Sequence, residues 1–225
     1  MDPLTDARDL VLSRFPHATW AILTGSVLGP SRTAGSDLDI VVLQEEAPGF
    51  RESLRFRGWP VELFIQTPAQ LTEFLARELA QRKPSTHRMI AHGVPLLGDP
   101  ADLTTRCAQV LAAGPPPLSP AEHDHLRYAL TDLLDDHLHA TDPGERTVIA
   151  TTLWTETARA ALAFAARWQS TGKWLLRELR DHDADLATRW LAARDNPAAL
   201  ATEILDRVGG PLFDGYRAQA PGPTA

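Results

Sequence analysis

The first half of the chain switches between two hydrophobic periods, and the second half keeps to one. "PLTDARDLVLSRF" sets Leu4, Leu10, Val11 and Phe15 along a short amphipathic helix. "TWAILTG" reads as a strand running into a Gly-Ser turn, and "LDIVVL" as a second strand. "SLRFRGWPVELFIQT" predicts two more strands around Gly58, with Pro60 near a strand start, where proline is tolerated. In "TPAQLTEFLARELAQRK" Thr67 is placed to cap a helix and Pro68 to open it. "STHRMIAHGVPLLGD" predicts a short helix followed by a turn.

The stretch "AAGPPPLSP", Ala112 to Pro120, breaks this pattern with four prolines and a glycine in nine residues. Ser119, just inside its end, and Glu122, just beyond it, have capping-box spacing. Only helical patterns follow. Leu126, Leu130, Leu133, Leu134 and Leu138 form a stripe, and "RTVIATTLWTETARAALAFAARWQ" is a long, mostly apolar helix suited to the core. "GKWLLRELRDHDADLATRWLAAR", with Trp174 expected inside, and "NPAALATEILDRV" complete the set. The expected fold is α+β. Residues 1–112 form a mixed sheet with flanking helices, 113–120 a proline-rich linker, 121–217 a helical bundle and 218–225 a disordered tail.

Composition narrows the class. A chain of 225 residues with 44% apolar and 23% charged positions is ordinary for a globular protein. A net charge of -7 argues against a general nucleic-acid coat or a membrane-surface protein, because both need a basic field; a local basic pocket stays compatible. Cys107 is the one cysteine, which excludes an intrachain disulfide and a thiolate zinc cluster. No run approaches the ~18 apolar residues of a membrane span, and "MDPLTDARDL" lacks a signal-peptide core. The expected location is the cytoplasm, with no membrane partner.

The chemistry concentrates in Thr24 to Leu43, "TGSVLGPSRTAGSDLDIVVL". Side chains alternate along a strand, so Asp37 and Asp39 share one face while Leu38 and Ile40 take the other. Two carboxylates that close repel unless a cation lies between them, and a hard divalent ion such as Mg²⁺ suits oxygen ligands. Gly25 permits close backbone approach, Ser26 offers a hydroxyl, and turn N–H groups can cradle phosphate oxygens. Glu62, in "VELFI", is a third acid, with Val61, Leu63 and Ile65 on the opposite face. Three acids from neighbouring strands with a phosphate-binding turn suggest phosphoryl or nucleotidyl transfer.

Gly25, Ser26, Asp37, Asp39 and Glu62 together resemble the signature of the DNA polymerase β nucleotidyltransferase superfamily. That signature is Gly-Ser, a loop of roughly ten residues, Asp-x-Asp and a later strand acid. The position of Glu62 is similar to that in small bacterial members and in the aminoglycoside and lincosamide nucleotidyltransferases; the resemblance covers residues 24 to 65. It implies a superfamily-like N-terminal domain and a helical C-terminal one. Asp37, Asp39 and Glu62 would hold two Mg²⁺ ions, with ATP or another nucleoside triphosphate as co-substrate. A nucleoside monophosphate, AMP from ATP, would pass to a hydroxyl on a small molecule or a protein, releasing pyrophosphate. Gly25, Ser26 and Ser36 would serve the nucleotide's phosphates, and Glu62 would be a metal ligand or the base. Arg32 either adds charge to that loop or is solvated. Lys173, in the helical half, is the implied triphosphate contact. Glu156 is an alternative base, or the ion-pair partner of Arg159 or Arg127.

Two other classes compete. All the features above also suit a catalytically silent nucleotide-binding or antitoxin-like regulatory module. Arg177 and His182 have the Arg-x4-His spacing of HEPN-type ribonucleases, although Glu178 stands where a small polar residue is usual. Asp132, Asp136 and His139 share a helix face, as metal ligands or as a solvated surface. The acceptor and the oligomeric state are not encoded legibly.

Overall fold

A computed structural model describes residues 2–45 and 48–218; the tail expected to be disordered falls, from Gln219 onward, outside the described residues. The fold is α+β, in two compact units, residues 1–114 and 115–225.

In the first unit, helix α1 (Pro3–Arg14) opens on Asp2, whose carboxylate accepts from the Thr5 amide at 3.0 Å, with Pro3 in the first turn. Strands β1 (Trp20–Thr24), β2 (Leu38–Leu43), β3 (Phe50–Phe56), β4 (Trp59–Gln66) and β5 (Val94–Leu97) form one sheet in the order β3-β4-β2-β1-β5. Only β2 and β4 run parallel among its pairs. Helices α2 (Pro68–Ala80), α3 (Ser85–His92) and α4 (Ala101–Ala113) follow the first four strands. Strand β5 replaces the turn expected after α3. It has four residues, includes Pro95 and is half exposed, too short for a period to register.

Alternation sorts the sheet into two faces. Leu23, Leu38, Ile40, Val61, Leu63 and Ile65 join Leu10 and Val11 of α1 in one buried cluster. Ile22, Val41 and Phe64 pack on the other face with Leu71, Ile90 and Cys107 from α2, α3 and α4. Burial pushes the Cys107 thiol up to about 11, so it is an inert core residue.

The β3–β4 turn consists of Arg57 and Gly58, both at positive φ, +49° and +86°. A two-residue loop with that pair of signs matches strand twist, and it fixes the register of the hairpin. Arginine adopts positive φ at a cost. Its guanidinium is held at 3.0 Å by Asp6 and at 2.6 Å by Asp9, and the buried Asp6 also accepts from the Trp59 indole at 3.0 Å. Helix α1 thereby clamps the turn.

The second unit holds α5 (Pro120–His139), α6 (Pro143–Phe164), α7 (Lys173–His182), α8 (Ala184–Ala192) and α9 (Ala198–Asp206). Ser119 and Glu122 form the capping box their spacing announces. Leu153, Leu162, Leu179 and Leu205 are fully buried in its core. Trp154 and Trp190 stack 4.0 Å apart with planes 2° from parallel, and each indole donates to the other's carbonyl at 2.7 Å. Trp174 is not in the core. It lies 43% exposed in the first turn of α7 with the Arg177 guanidinium 4.4 Å above its ring, a stack that shelters an indole without burying it. Among the described residues no helix is long and apolar enough to cross a membrane.

Hydrogen bonds from Arg57, then from Trp59, hold the Asp6 carboxyl below its ordinary 3.8. A depressed carboxylate pKa stabilises the fold above the unfolded-state value and loses that contribution as pH falls through the folded value. Asp6→Asn should therefore lower the melting temperature at neutral pH and flatten its further fall below pH ~4. Parallel melting curves for the variant and the parent from pH 7 to 3 would contradict the clamp.

Candidate active site

The site forms on the sheet face that also carries Ile22, Val41 and Phe64. Asp39 on β2 lies directly opposite Glu62 on β4 and opposite Thr24 on β1. Asp37 precedes β2 by one residue and faces the same way. The parallel register thus sets carboxylates side by side on adjacent strands. One oxygen from each of Asp37, Asp39 and Glu62 lies within 4.8 Å of the others, and all three residues are half-buried. No other group of three or more such side chains is assembled among the described residues; Asp132 and Asp136 are exposed, and His139 bonds the Asp135 carbonyl at 2.8 Å.

The Gly-Ser turn wraps this cluster. Gly25 sits at φ +93°, and a Cβ there would fall 2.3 Å from Asp39 Oδ2. Glycine is required twice, by the backbone and by the carboxylate occupying the side-chain space. Ser26 opens a single 3-10 turn through Leu28. Its hydroxyl meets that of Ser36 at 3.1 Å, and Ser36 Oγ accepts from the Thr33 amide at 2.9 Å. The two serines close the base of the intervening loop. Arg32 in that loop lies over the Trp59 ring, 5.2 Å from its centroid.

Three like charges this close repel one another by about 1 kcal/mol per pair at the dielectric of water and about 3–4 kcal/mol at an effective dielectric of 20. Part of that is offset within the chain: Arg51 on β3 donates to Glu62 Oε2 at 2.6 Å, with its guanidinium 4.9 Å over Phe64. The donor set is all oxygen, the spacing suits atoms sharing one ion or two, and glycine leaves the Asp39 carboxylate its room. These residues fit a hard divalent cation such as Mg²⁺ or Mn²⁺.

Gly25, Ser26, Ser36, Asp37, Asp39 and Glu62 are therefore brought together by the first unit alone. Lys173 and Glu156 belong to the second. Lys173 is the exposed first residue of α7, behind Gly172, which offers no side-chain cap. Glu156 forms an ion pair with Arg159 one turn along α6. Arg177 stacks on Trp174, and His182 Nδ1 faces Arg167 Nε at 3.4 Å, so that pair is engaged separately. His87 is buried and bonded to Glu78 at 3.2 Å, a link between α2 and α3, and His92 is exposed. Sequence reasoning did not find Arg51; the signal was the alternation of "FRESLRF" beside Glu62, unreadable without the strand register.

No protein-family model matches this chain, and no curated protein matches it. Among solved structures it is similar to a nucleotidyltransferase-like protein from Exiguobacterium sibiricum 255-15, with 12% identity and a TM-score of 0.47 over 92% of this chain and 74% of that one.

Gly25→Ala should cost at least about 1–3 kcal/mol, the range for a residue held in a disfavoured backbone region, with further loss from the clash with Asp39. Trimming that carboxylate in the Gly25→Ala, Asp39→Ala double variant should return the steric share. Urea denaturation of the two singles and the double measures this; strict additivity would mean that Gly25 and Asp39 do not contend for one space.

Proposed function

We propose that the first unit is the catalytic part of a divalent-metal-dependent nucleotidyltransferase, moving a nucleoside monophosphate, AMP from ATP, to an acceptor hydroxyl. The observation that carries this reading is the convergence of Asp37, Asp39 and Glu62 beside the Gly25–Ser26 turn. Three carboxylates this close repel one another, and a bound divalent cation would relieve that repulsion.

In this reading Asp37, Asp39 and Glu62 hold the divalent ions, which when bound neutralise the triphosphate and make its α-phosphorus open to attack. The turn at Gly25 and Ser26 receives phosphate oxygens, with Ser36 fixing the loop behind it. Glu62, oriented by Arg51, takes the proton of the acceptor hydroxyl. The acceptor oxygen bonds to the α-phosphorus as the bond to the bridging oxygen breaks, and pyrophosphate leaves. Lys173 is the helical unit's candidate for the triphosphate.

Incubation with labelled ATP, Mg²⁺ and a panel of hydroxyl acceptors should yield pyrophosphate and one labelled product. ATP binding with no pyrophosphate from any acceptor would favour the silent regulatory module, and RNA cleavage without ATP or Mg²⁺ the ribonuclease. Asp37→Asn should abolish pyrophosphate release yet leave the metal-free melting temperature equal or higher, because it relieves repulsion. A clear metal-free loss of stability would mean that the cluster is structural.

Glu62→Gln separates base from ligand. As the base, Glu62 should be dispensable for Mg·ATP binding within about tenfold, ~1.4 kcal/mol, while turnover falls at least about 10²-fold. Calorimetry and single-turnover kinetics on the same variant decide it; loss of both together makes Glu62 a metal ligand first.

A further inference from the structure

Strand β3 reads "FRESLRF", and its alternation sorts charge by face. Glu52 points toward α1, where it pairs with Arg14 at 2.9 Å. Arg51, Ser53 and Arg55 point the other way, onto the face of Asp39 and Glu62. Ser53 lies in register with Glu62, Arg55 with Pro60 and Arg51 with Phe64. An open cleft of about 350 Å³ is lined by Asp37, Glu62, Ser53, Arg55 and Pro60.

A divalent ion on Asp37, Asp39 and Glu62 would engage the cleft's carboxylates, which leaves the rim's arginines to set its charge. Asp6 and Asp9 are taken by Arg57, and Glu52 by Arg14. Arg51 is shared with Glu62. Arg55 forms no ion pair among the described residues and is exposed beside the cleft. An acceptor whose hydroxyl reaches Glu62 must lay the rest of itself along this rim. Guanidinium groups there offer planar forks to a phosphate or carboxylate, and they repel an ammonium.

We propose that the β3 rim selects an anionic acceptor, a hydroxyl compound bearing a phosphate or carboxylate group, in preference to a polycationic aminosugar. This rests on the nucleotidyltransferase reading, because it assigns the cleft beside Glu62 to the acceptor. Arginines also protect an edge strand from pairing with other chains. The rim differs from such protection in needing the guanidinium fork and not only a positive charge.

The test uses the full chain with Mg²⁺ and α,β-methylene-ATP, first titrated alone by calorimetry. Absence of that binding sinks the nucleotidyltransferase reading itself; the rim is then still measured, on the nucleotide-free protein. Glycerol 3-phosphate and kanamycin, both rich in hydroxyls and opposite in charge, are titrated next. Glycerol 3-phosphate should bind at least about tenfold tighter than kanamycin. Arg55→Glu should remove that preference, and Arg55→Lys should weaken glycerol 3-phosphate severalfold while keeping the edge charge. Both variants should keep the parental melting curve and bind α,β-methylene-ATP within about twofold. Kanamycin binding as tight as glycerol 3-phosphate overturns the proposal, as does unchanged glycerol 3-phosphate affinity in Arg55→Glu, which would leave Arg55 as edge protection only.

Discussion

The parallel register of β2 against β4 is the constraint on which the site depends. It sets Asp39 opposite Glu62, and through the pleat it puts Asp37 on the same side. A slip of one residue would turn one of the two strands over, taking Ile40 or Leu63 out of the cluster and that strand's acid to the opposite face. The apolar residues between the acids therefore specify the acids' positions. Helices cover Ile22, Val41 and Phe64 on the shared face, so one surface contributes core residues and also carries the carboxylate cluster.

Much of this was legible because period-2 alternation survives in the sequence wherever both faces differ. "LDIVVL" and "VELFI" declare strands, and carboxylates interrupting apolar runs declare a cost that needs a reason. Caps were legible for the same local cause: Thr67 and Ser119 carry the chemistry of a helix start within three residues. What escaped was non-local. Strand β5 is recognisable only by its pairing with β1. Arg57 at positive φ is intelligible only beside Asp6 and Asp9, about fifty positions away. Arg51 meets Glu62 because a turn fixes the hairpin register, and no window of sequence contains that fact. Trp174 shows a converse error, since an indole's size predicts contact with something apolar but not the depth at which it is found.

Charge in the first unit is distributed by partner rather than by amount. Its edge strand turns an acid toward α1 and two arginines toward the carboxylate cluster, so a molecule of net negative charge presents a locally mixed field beside its most acidic point. Overall acidity therefore does not fix the field at the cluster, because electrostatic influence operates over the distance of a Debye length and not over the whole surface.

The stacked pair of Trp154 and Trp190 has an optical consequence. Two identical chromophores 4.0 Å apart with planes 2° from parallel do not absorb as independent rings; their transition dipoles couple, and excitation is shared between them. The coupling requires α6 and α8 to be in register and vanishes when they separate. Trp20 and Trp59 lie in the other unit, in separate clusters. The helical unit thus carries its own spectroscopic clock, by which its opening can be timed apart from that of the sheet.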